Sequence, residues 1–475
     1  MIAVESIRKE SPVPPILSGL QQFDWPLAFA AEELIRQHIA TFLAKNNFAA
    51  QLAARMANET ATDFFEWIDH LVLSPADETA LRKVGFSNDE VETPAGEIVL
   101  HHPRATLPRI ILRAGQKQNP SVIALRPEFI ADFMAKLNLT GEIEGEPCSC
   151  YRRFLVSEEN GARLEAIERH AYRGFVSAKL KSGELEKIIQ AKELWRTRQR
   201  RAFKNDAEGF AIANKILDKS LELVGRDLSC QFYFEEERAY WESRNRAAQI
   251  QKRRQDQLGL GWGNHDHHTF RSSREHFVDV NNFLLRLGFE KRERYYAGAE
   301  AGWGAQISEQ PVVGIVVFAD VDLMPDETQI DFSSTRLSPA PKLGTVGLWI
   351  GLHSESFLDA GMHHLEARFD FELLRDQLKE RGINTMNPFS NFEFLRQAFT
   401  EGERWPVCRE RADKLLRAKL ITPEQFEKFI KEGALGSHLE NLQRRGGFKG
   451  FNQKAVSVII AGTDPRKNHF EPVAA

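Results

Sequence analysis

Two histidines, a glutamate and an arginine in the second half of the chain are the side chains that a catalytic metal site requires. His267, His364 and Glu440 are separated by 97 and 76 residues, so only folding can bring them together. Two imidazoles and one carboxylate leave positions open on a bound ion for substrate and O₂, as in non-haem Fe(II) oxygenases. We therefore predict a divalent-metal site at these three residues.

Arg271 adds a charge suited to an acidic substrate. It follows His267 by four positions, and on an extended strand the two side chains lie on the same face. A guanidinium there could bind a carboxylate through two parallel hydrogen bonds, which makes Arg271 the predicted catalytic and substrate-binding residue. The alternative for Arg271 is a surface ion pair.

Neighbouring residues leave the choice of ligands open. Each predicted histidine belongs to a His-His pair, and strand alternation sends the two members to opposite faces. Glu366 shares a face with His364, and His438 shares one with Glu440, so either could replace a predicted ligand. Each histidine alone is also compatible with a hydrogen-bonded structural role.

The elements that must position these residues fall into four predicted segments, because 475 residues are too many for one ordinary core. Residues 1–59 have helical spacing, and residues 60–182 alternate strands with helices as an α+β module. Residues 183–258 form a charged helical connector. Residues 259–475 return to strands and form the predicted metal-binding module.

Apolar runs predict the strands of this last module, and a capping box at Thr422 and Gln425 predicts the start of one helix. The predicted strands are DHHTFRSS, RERYYAG, PVVGIVVFADVDL, TVGLWIGLH, HHLEARFDF, HLENLQRRGGF and KAVSVIIAG. The candidate ligands all lie inside or beside these strands. A curved sheet could therefore bring them together.

The two halves share a pattern that indicates an internal duplication. An Asp-His pair starts a strand, a helix follows, and the helix ends in a Gly-Phe step, at 69–86 and again at 266–289. His70 matches His267, but Ser74 stands where the second copy has Arg271. We expect the first copy to be degenerate, with a structural role as an interface or lid.

On these motifs the second half resembles the vicinal oxygen chelate superfamily, and within it the 2-oxoadipate dioxygenase/decarboxylase (hydroxyglutarate synthase) family. That family has an Asp-His strand with an arginine four residues after the histidine, a His-Leu-x-x-Arg strand, and a carboxylate before a Gln-Arg-Gly turn. This chain has similar motifs at 266–271, 364–368 and 440–446. It differs in its long N-terminal half, a shorter gap between the histidines and one extra arginine in the turn.

The resemblance implies an α+β fold in which vicinal oxygen chelate-like βαβββ modules form a curved mixed sheet or barrel, with extensive helical additions. It implies Fe(II) on the three ligands, and a 2-oxo acid that chelates the metal with its far carboxylate on Arg271. The implied enzyme is a dioxygenase/decarboxylase that converts a 2-oxoadipate-like acid and O₂ into a 2-hydroxy acid and CO₂, without an organic cofactor. The alternatives are an extradiol-type dioxygenase, a glyoxalase-like enzyme with another divalent metal, and a metal-free binding module.

Composition limits the partners. The net charge of −4 and the pI near 6.4 give no overall attraction to nucleic acid or anionic lipid. No apolar run approaches the roughly 18 residues of a membrane span, and the N-terminus lacks a secretory signal pattern, so we expect no membrane and a cytoplasmic location. Four scattered cysteines do not form a disulfide framework.

A nucleic-acid-binding helical protein is the rival from another class. It rests on WRTRQRRAFK at 195–204 and QKRRQ at 251–255. Acidic residues surround both segments, which favours solvated helical faces over a phosphate-binding track. We therefore predict small-molecule partners, the 2-oxo acid and O₂, and no nucleic acid. The oligomeric state is left open.

Overall fold

The computed structural model describes residues 25–114, 121–262, 265–362, 365–454 and 456–466. The fold is α+β, with two large mixed sheets and helices packed on and between them. None of the helices in the described part of the chain combines the length and the apolar character that a membrane span needs.

In the described part of the first half, four α-helices and a seven-stranded sheet are followed by three α-helices that lead to the second half. In chain order the elements are α1 (Phe29–Leu43), α2 (Asn47–Arg55), β1 (Ile68–Leu73), α3 (Glu78–Lys83), β2 (Ser87–Asn88), β3 (Glu97–His101), β4 (Arg109–Arg113), β5 (Ser121–Leu125), α4 (Ile130–Lys136), β6 (Tyr151–Glu159), β7 (Ala162–Arg169), α5 (Glu184–Arg196), α6 (Asp206–Ser243) and α7 (Arg246–Asp256).

The second half contains an eight-stranded sheet, a two-stranded sheet and six helices among the described residues. In chain order they are β8 (His265–Arg271), α8 (Phe277–Arg286), β9 (Glu290–Tyr296), β10 (Trp303–Gln310), β11 (Ile315–Asp322), α9 (Thr345–His353), β12 (Leu365–Arg368), α10 (Phe371–Lys379), β13 (Ser390–Phe392), β14 (Leu395–Phe399), β15 (Arg404–Trp405), α11 (Arg409–Arg417), α12 (Pro423–Glu432), β16 (Ala434–Leu435), β17 (Glu440–Arg444) and α13 (Val456–Gly462).

The strand orders confirm the βαβββ modules that the resemblance implies. The first sheet has the order β2-β3-β4-β1-β5-β7-β6, and β1 runs parallel to β4 across the unit β1-α3-β2-β3-β4. The second sheet has the order β13-β14-β17-β12-β8-β11-β10-β9. It contains two such units, in which β8 is parallel to β11 and β12 is parallel to β17.

The repeat indicated at 69–86 and 266–289 folds into matching units, β1-α3 and β8-α8. The rest of the first sheet is a shorter unit, β5-α4-β6-β7, with β5 parallel to β7 and an isolated bridge between Glu144 and Arg153 at its outer edge. Each large sheet therefore consists of two related units joined side by side, through the antiparallel pairs β1-β5 and β8-β12.

Local sequence explains many element boundaries. The capping box predicted at α12 is present, because Thr422 accepts from the Gln425 N–H and Gln425 reaches back to the Thr422 N–H. Asn205 and Asn245 cap α6 and α7 in the same way, with side-chain oxygens that accept backbone N–H groups. The charged segment 183–258 is helical as predicted. Apolar side chains of this segment, including Trp195 and Tyr233, share one core with side chains of the second sheet such as Phe270.

Two predicted strands are wrong. TVGLWIGLH forms helix α9, and KAVSVIIAG contributes to helix α13. Helix α9 buries Trp349 and Ile350 in one cluster and Leu348 and Leu352 in another, so it has no polar face. An apolar run without a polar face has no helical periodicity to detect, and short runs of this kind do not distinguish helix from strand.

A side chain distant in sequence determines where α9 begins. Asp322, at the end of β11, accepts hydrogen bonds from the backbone N–H groups of Gly344, Val346 and Gly347 at 2.7, 3.1 and 3.0 Å. A carboxylate at a helix N-terminus satisfies donors that the helix itself leaves unpaired. Burial raises the pKa of Asp322, and these three hydrogen bonds oppose the rise. A side chain of the sheet therefore caps the N-terminus of α9, and no residue of the helix itself provides this cap.

Candidate functional site

One cavity in the second half brings together three of the four predicted site residues. His267 and Arg271 from β8 and Glu440 from β17 line a space of about 60 Å³, together with Asp320 from β11. That volume exceeds the roughly 10–15 Å³ that one water molecule needs. Phe318, Phe389, Phe399 and Phe451 complete much of the wall.

The order of strands explains this convergence. Strand β12 lies between β8 and β17, so the two ligand-bearing strands are separated by one strand only. Leu365 pairs with His268, and Glu366 pairs with Glu440. His364, the remaining predicted ligand, lies outside the described residues and directly precedes Leu365 in the chain. The side chain of Glu366 is also outside the described part.

His267 is buried, with 6% of its surface exposed, and its ring meets Phe318 edge-on at 5.4 Å between centroids. The Arg444 guanidinium Nη2 lies 3.1 Å from His267 Nδ1. Arginine can only donate, so Nδ1 accepts this hydrogen bond, and the neutral imidazole then carries its proton on Nε2. A metal on Nε2 would require a protonated Nδ1, and Arg444 would therefore have to turn away when an ion binds.

Glu440 is 3% exposed, and the Gln397 amide Nε2 donates a hydrogen bond to its Oε1. The two residues reach each other because β14 pairs with β17, where Phe399 is opposite Glu440 and Gln397 is opposite Leu442. A hydrogen bond of this kind fixes the orientation of a carboxylate. Gln397 is a residue that the sequence did not single out.

Arg271 is 1% exposed and lines the cavity. Its Nη2 donates to Thr463 Oγ1 at 2.9 Å, and its guanidinium carbon lies 5.1 Å from the centre of the Trp349 ring. Its Nε and Nη1 meet no hydrogen-bond partner among the described residues. Burial lowers the pKa of Arg271 to about 10, and nearby aspartates, chiefly Asp320, oppose this change. A buried cation with unused donors is well suited to an anionic ligand.

Asp320 is a second cavity residue that the sequence did not single out. It lies on β11 opposite Arg271 in the parallel register and is 4% exposed. Burial raises the pKa of Asp320 to about 7, although Arg271 lowers it. The carboxyl can therefore hold or release a proton near neutral pH. Its signal in the sequence is an aspartate at an inward position of the apolar run IVVFADVD.

The remaining candidates lie elsewhere. His268 packs on the opposite side of β8 from His267, with its ring 5.1 Å from Phe234. His438 stacks on Phe399 at 4.0 Å between ring centres, so it contacts a residue of the cavity wall without lining the cavity. Arg368, from the predicted His-Leu-x-x-Arg motif, pairs with Glu66 at 2.8 Å. Strand alternation correctly separates His267 from His268.

The donors present are compatible with a divalent ion but do not by themselves complete its coordination. Across the described ranges, no three His, Cys, Asp or Glu side chains meet in a way that could hold a metal. His267 and Glu440 offer one nitrogen and one oxygen donor on the same cavity, and the predicted third donor lies outside those ranges. Nitrogen and oxygen donors of this kind suit Fe(II) and related ions.

The basic segments that suggested nucleic-acid binding contribute many of their charges to internal contacts. Arg198 and Arg200 both pair with Glu237, at 2.9 and 2.8 Å. Arg254 donates to the backbone carbonyl of Glu59, and Lys252 pairs with Asp256 at 2.8 Å. These contacts join the helical connector to the rest of the fold.

No protein-family model and no curated protein sequence matches the chain. Solved structures with similarity include a mutant of 4-hydroxymandelate synthase from Streptomyces coelicolor, at 12% identity and a TM-score of 0.25, covering 84% of this chain and 98% of that one. Methylmalonyl-CoA epimerase from Mycobacterium tuberculosis is similar at 11% identity and a TM-score of 0.21, covering 38% of this chain and 87% of that one.

A third similar structure is an uncharacterized protein, YdcJ, from Shigella flexneri that includes the domain DUF1338. It is 12% identical with a TM-score of 0.23, and the match covers 54% of this chain and 73% of that one. At these identities and scores none of the three carries an inference about the reaction of this chain.

Proposed function

We propose that the chain is a divalent-metal oxygenase of the vicinal oxygen chelate type that acts on a 2-oxo acid. In the proposed reaction a 2-oxoadipate-like acid and O₂ give a 2-hydroxy acid one carbon shorter and CO₂, so that both atoms of O₂ end in the products. The observation that carries the proposal is the cavity that joins His267, Glu440 and the buried Arg271, whose Nε and Nη1 have no partner in the described part of the chain.

His267, Glu440 and His364 would hold the metal, with Fe(II) as the proposed ion. When bound, such an ion would supply the Lewis-acid and O₂ chemistry that amino-acid side chains lack. Gln397 would hold the carboxylate of Glu440 in place through its existing hydrogen bond. Glu366 and His438 stay alternatives to the predicted ligands.

Arg271 would bind the far carboxylate of the substrate. Its Nε and Nη1 point from different edges of the planar guanidinium, and either could donate a charge-assisted hydrogen bond to a carboxylate oxygen. Thr463 accepts from Nη2, and the Trp349 ring lies against the guanidinium. A second acidic group on the substrate would therefore meet a group whose orientation is set before binding, which lowers the entropic cost of binding.

Asp320 would regulate proton transfer beside this site. With its pKa near 7, its carboxyl can give a proton to an oxygen of the departing product or take one from water. The aromatic wall of Phe318, Phe399 and Phe451 would limit the access of bulk water, and this strengthens the attraction between Arg271 and a bound anion.

The proposal is tested by anaerobic purification of the full chain, elemental analysis, and oxygen uptake with 2-oxoadipate and a panel of shorter and monocarboxylic 2-oxo acids. We expect about one iron per chain after loading, and uptake that is fastest with dicarboxylic 2-oxo acids. His267→Ala should lose the metal. Arg271→Ala should keep it and bind the dicarboxylic acid about 10–100-fold more weakly, as expected for the loss of charge-assisted hydrogen bonds.

His38→Ala is the matched control, because His38 lies in α1 and outside the cavity. It should keep both metal and activity. Full activity in both His267→Ala and Arg271→Ala would exclude the assignment. A metal-loaded protein that consumes no oxygen with any 2-oxo acid would exclude the oxygenase and leave the metal site intact.

A further inference from the structure

A second cavity lies on the first sheet, away from the proposed metal site, and it concentrates positive charge. It has a volume of about 320 Å³ and lies between the first sheet and the loop at 311–314 that precedes β11. Four arginines of the first half line it: Arg109, Arg126, Arg169 and Arg173. The proposed function assigns no role to these residues.

Two aspartates compensate only part of this charge. Asp69 receives two hydrogen bonds from Arg169, at 2.8 and 2.9 Å, and lies 3.6 Å from Arg109. Asp89 receives two from Arg173, both at 2.8 Å. Burial alone would raise the pKa of Asp69, but Arg169, Arg109 and His70 hold it well below its usual range, so Asp69 is ionised. Four cations thus meet two anions.

Glu66 and Arg368 also line the cavity, and they form an ion pair with 2.8 Å between Glu66 Oε2 and Arg368 Nη1. This pair adds one negative and one positive charge, so it does not change the difference between cations and anions. The excess of positive charge is therefore about two elementary charges. Buried charges in proteins are normally paired, because an uncompensated buried ion is costly. The cavity carries the imbalance that a dianion would correct.

Arg126 is where the imbalance is concentrated. Its backbone N–H donates to the Trp67 carbonyl, but its guanidinium has neither a hydrogen bond nor an ion pair with any residue that the structure describes. Burial lowers the pKa of Arg126, Asp69 opposes this, and the neighbouring Arg169 and Arg238 lower it further. Burial likewise lowers the pKa of Arg109 to about 10. Both guanidiniums would be stabilised by a negative charge in the cavity.

We propose that this cavity binds a small oxyanion with two negative charges, held by Arg126 together with Arg109 and Arg173. The chemistry is that of a phosphate group or of a dicarboxylate, since a guanidinium fork matches the paired oxygens of either. This site goes beyond the proposed oxygenase function and does not depend on it. The first half would then be a ligand-binding module as well as a structural one.

The test is binding and thermal unfolding of the full chain with inorganic phosphate, with glutarate, and with sodium chloride at matched ionic strength. We expect phosphate or glutarate to raise the unfolding temperature well above the chloride reference. Arg126→Gln should weaken binding at least about tenfold, because it removes one charged, two-pronged contact. A larger shift with phosphate assigns the ligand as a phosphate compound, and a larger shift with glutarate assigns it as a dicarboxylate.

Three further variants separate this site from other effects. Arg196→Gln removes an exposed arginine of α5 that pairs with Glu193, and it should keep the full shift with both anions. Arg271→Gln removes the arginine that is proposed to bind a carboxylate, so it is compared with phosphate alone, where it should keep the full shift. Arg126→Lys keeps the charge but loses the fork, and should bind more weakly than the wild type. It also provides a folded comparison if Arg126→Gln does not fold.

Without anion, Arg126→Gln should unfold at the same temperature as the wild type or higher, because it removes an uncompensated cation. The proposal is overturned if neither anion exceeds the chloride reference. It is also overturned if both Arg126 variants respond like the wild type, or if only Arg271→Gln abolishes the shift.

Discussion

The two large sheets have related arrangements of strands, but their matching histidines have different surroundings. On β1, His70 Nδ1 lies 2.8 Å from Asp69 Oδ2, and the ring packs edge-on against Phe175 at 4.9 Å. On β8, His267 lines an open cavity and shares it with Glu440. One histidine is held by neighbours that fill the space around it, and the other faces room for a ligand.

The register across each sheet shows how far the correspondence extends. In the first sheet, His70 pairs with Ala124, and Ala124 pairs with Glu165 on the next strand. The pair Ala124–Glu165 corresponds to the pair Glu366–Glu440 in the second sheet. Val122 lies two positions before Ala124 in the chain, as His364 lies two positions before Glu366 in the sequence. The first sheet thus has a histidine and a glutamate at matching positions but a valine at the third.

An arginine network fills the corresponding face of the first sheet. Arg169 lies over the rings of Tyr151 and Phe175 at 4.8 and 4.5 Å while it pairs with Asp69. The first sheet therefore has one proposed donor fewer, and rings occupy the space beside its histidine. The comparison shows that the same strand arrangement can carry side chains with very different surroundings at matching positions.

Substitution of the two histidines should give the largest contrast. His267→Gln should reduce bound metal to background, because it removes one of three proposed donors. His70→Gln should leave metal content unchanged and lower stability, because Asp69 loses a buried partner. Elemental analysis and urea unfolding of both variants measure this difference. Equal metal loss in the two variants would contradict the comparison.

The two buried arginines should differ next. Arg169→Gln should lower the free energy of unfolding by about 3–5 kcal/mol, because it leaves the buried Asp69 carboxylate without its bidentate partner. Arg271→Gln should change it by less than about 1 kcal/mol, since the Arg271 side chain makes one hydrogen bond to the described residues. Urea denaturation of the metal-free proteins is the measurement, and similar losses would show that Arg271 is structural.

The pH dependence of stability should identify Asp320. Burial raises its pKa from 3.8 to about 7, so the folded protein keeps this proton over a range in which the unfolded chain has released it. Asp320 therefore contributes stability at low pH, and the contribution is lost as the pH rises from about 4 to 7. In the Asp320→Asn variant, the decrease in the free energy of unfolding over this pH range should be smaller than in the wild type by about 2–4 kcal/mol.

Asp326→Asn, an exposed carboxyl beyond β11, is the control for this titration. The free energy of unfolding in urea is compared between the wild type and the two variants at pH 4.5, 5.5 and 7.5. These pH values span the range between the ordinary and the raised pKa of Asp320. If Asp320→Asn follows the wild type at all three, Asp320 does not titrate in this range.

The smallest effect is expected at the position of the first sheet that matches Asp320. Asp320 is four residues after Val316, the strand partner of His267. Arg113 has the same place in the first sheet, four residues after Arg109, the strand partner of His70. Arg113 pairs with Glu97, and its side chain is 33% exposed. Arg113→Gln should cost less than about 1 kcal/mol in urea unfolding, because solvent weakens such pairs.

The sequence predicts the alternating strands of both sheets well, because a strand with one inward face has a period that can be recognised directly. It therefore places His267 and Arg271 on one face correctly. It does not predict α9 or α13, whose apolar runs lack a polar face. This matters for the site, because Thr463, at the end of α13, holds Arg271.

Asp320 and Gln397 also could not be predicted, for a different reason. Their place in the cavity depends on which strands are neighbours, and that follows from pairings between residues far apart in the chain. The motif supplied the strands that carry the proposed ligands, whereas the groups around them depend on register. The metal ligation itself stays a prediction.

The cap that Asp322 provides to α9 has a consequence at a distance. The N–H groups at the start of α9 are anchored by this single carboxylate, and the same helix carries the Trp349 ring against which Arg271 rests. A change at Asp322 should therefore loosen the start of α9 and shift the Trp349 ring, and with it the Arg271 guanidinium in the cavity. A variant screen for loss of the proposed acid binding should recover Asp322, which does not line the cavity.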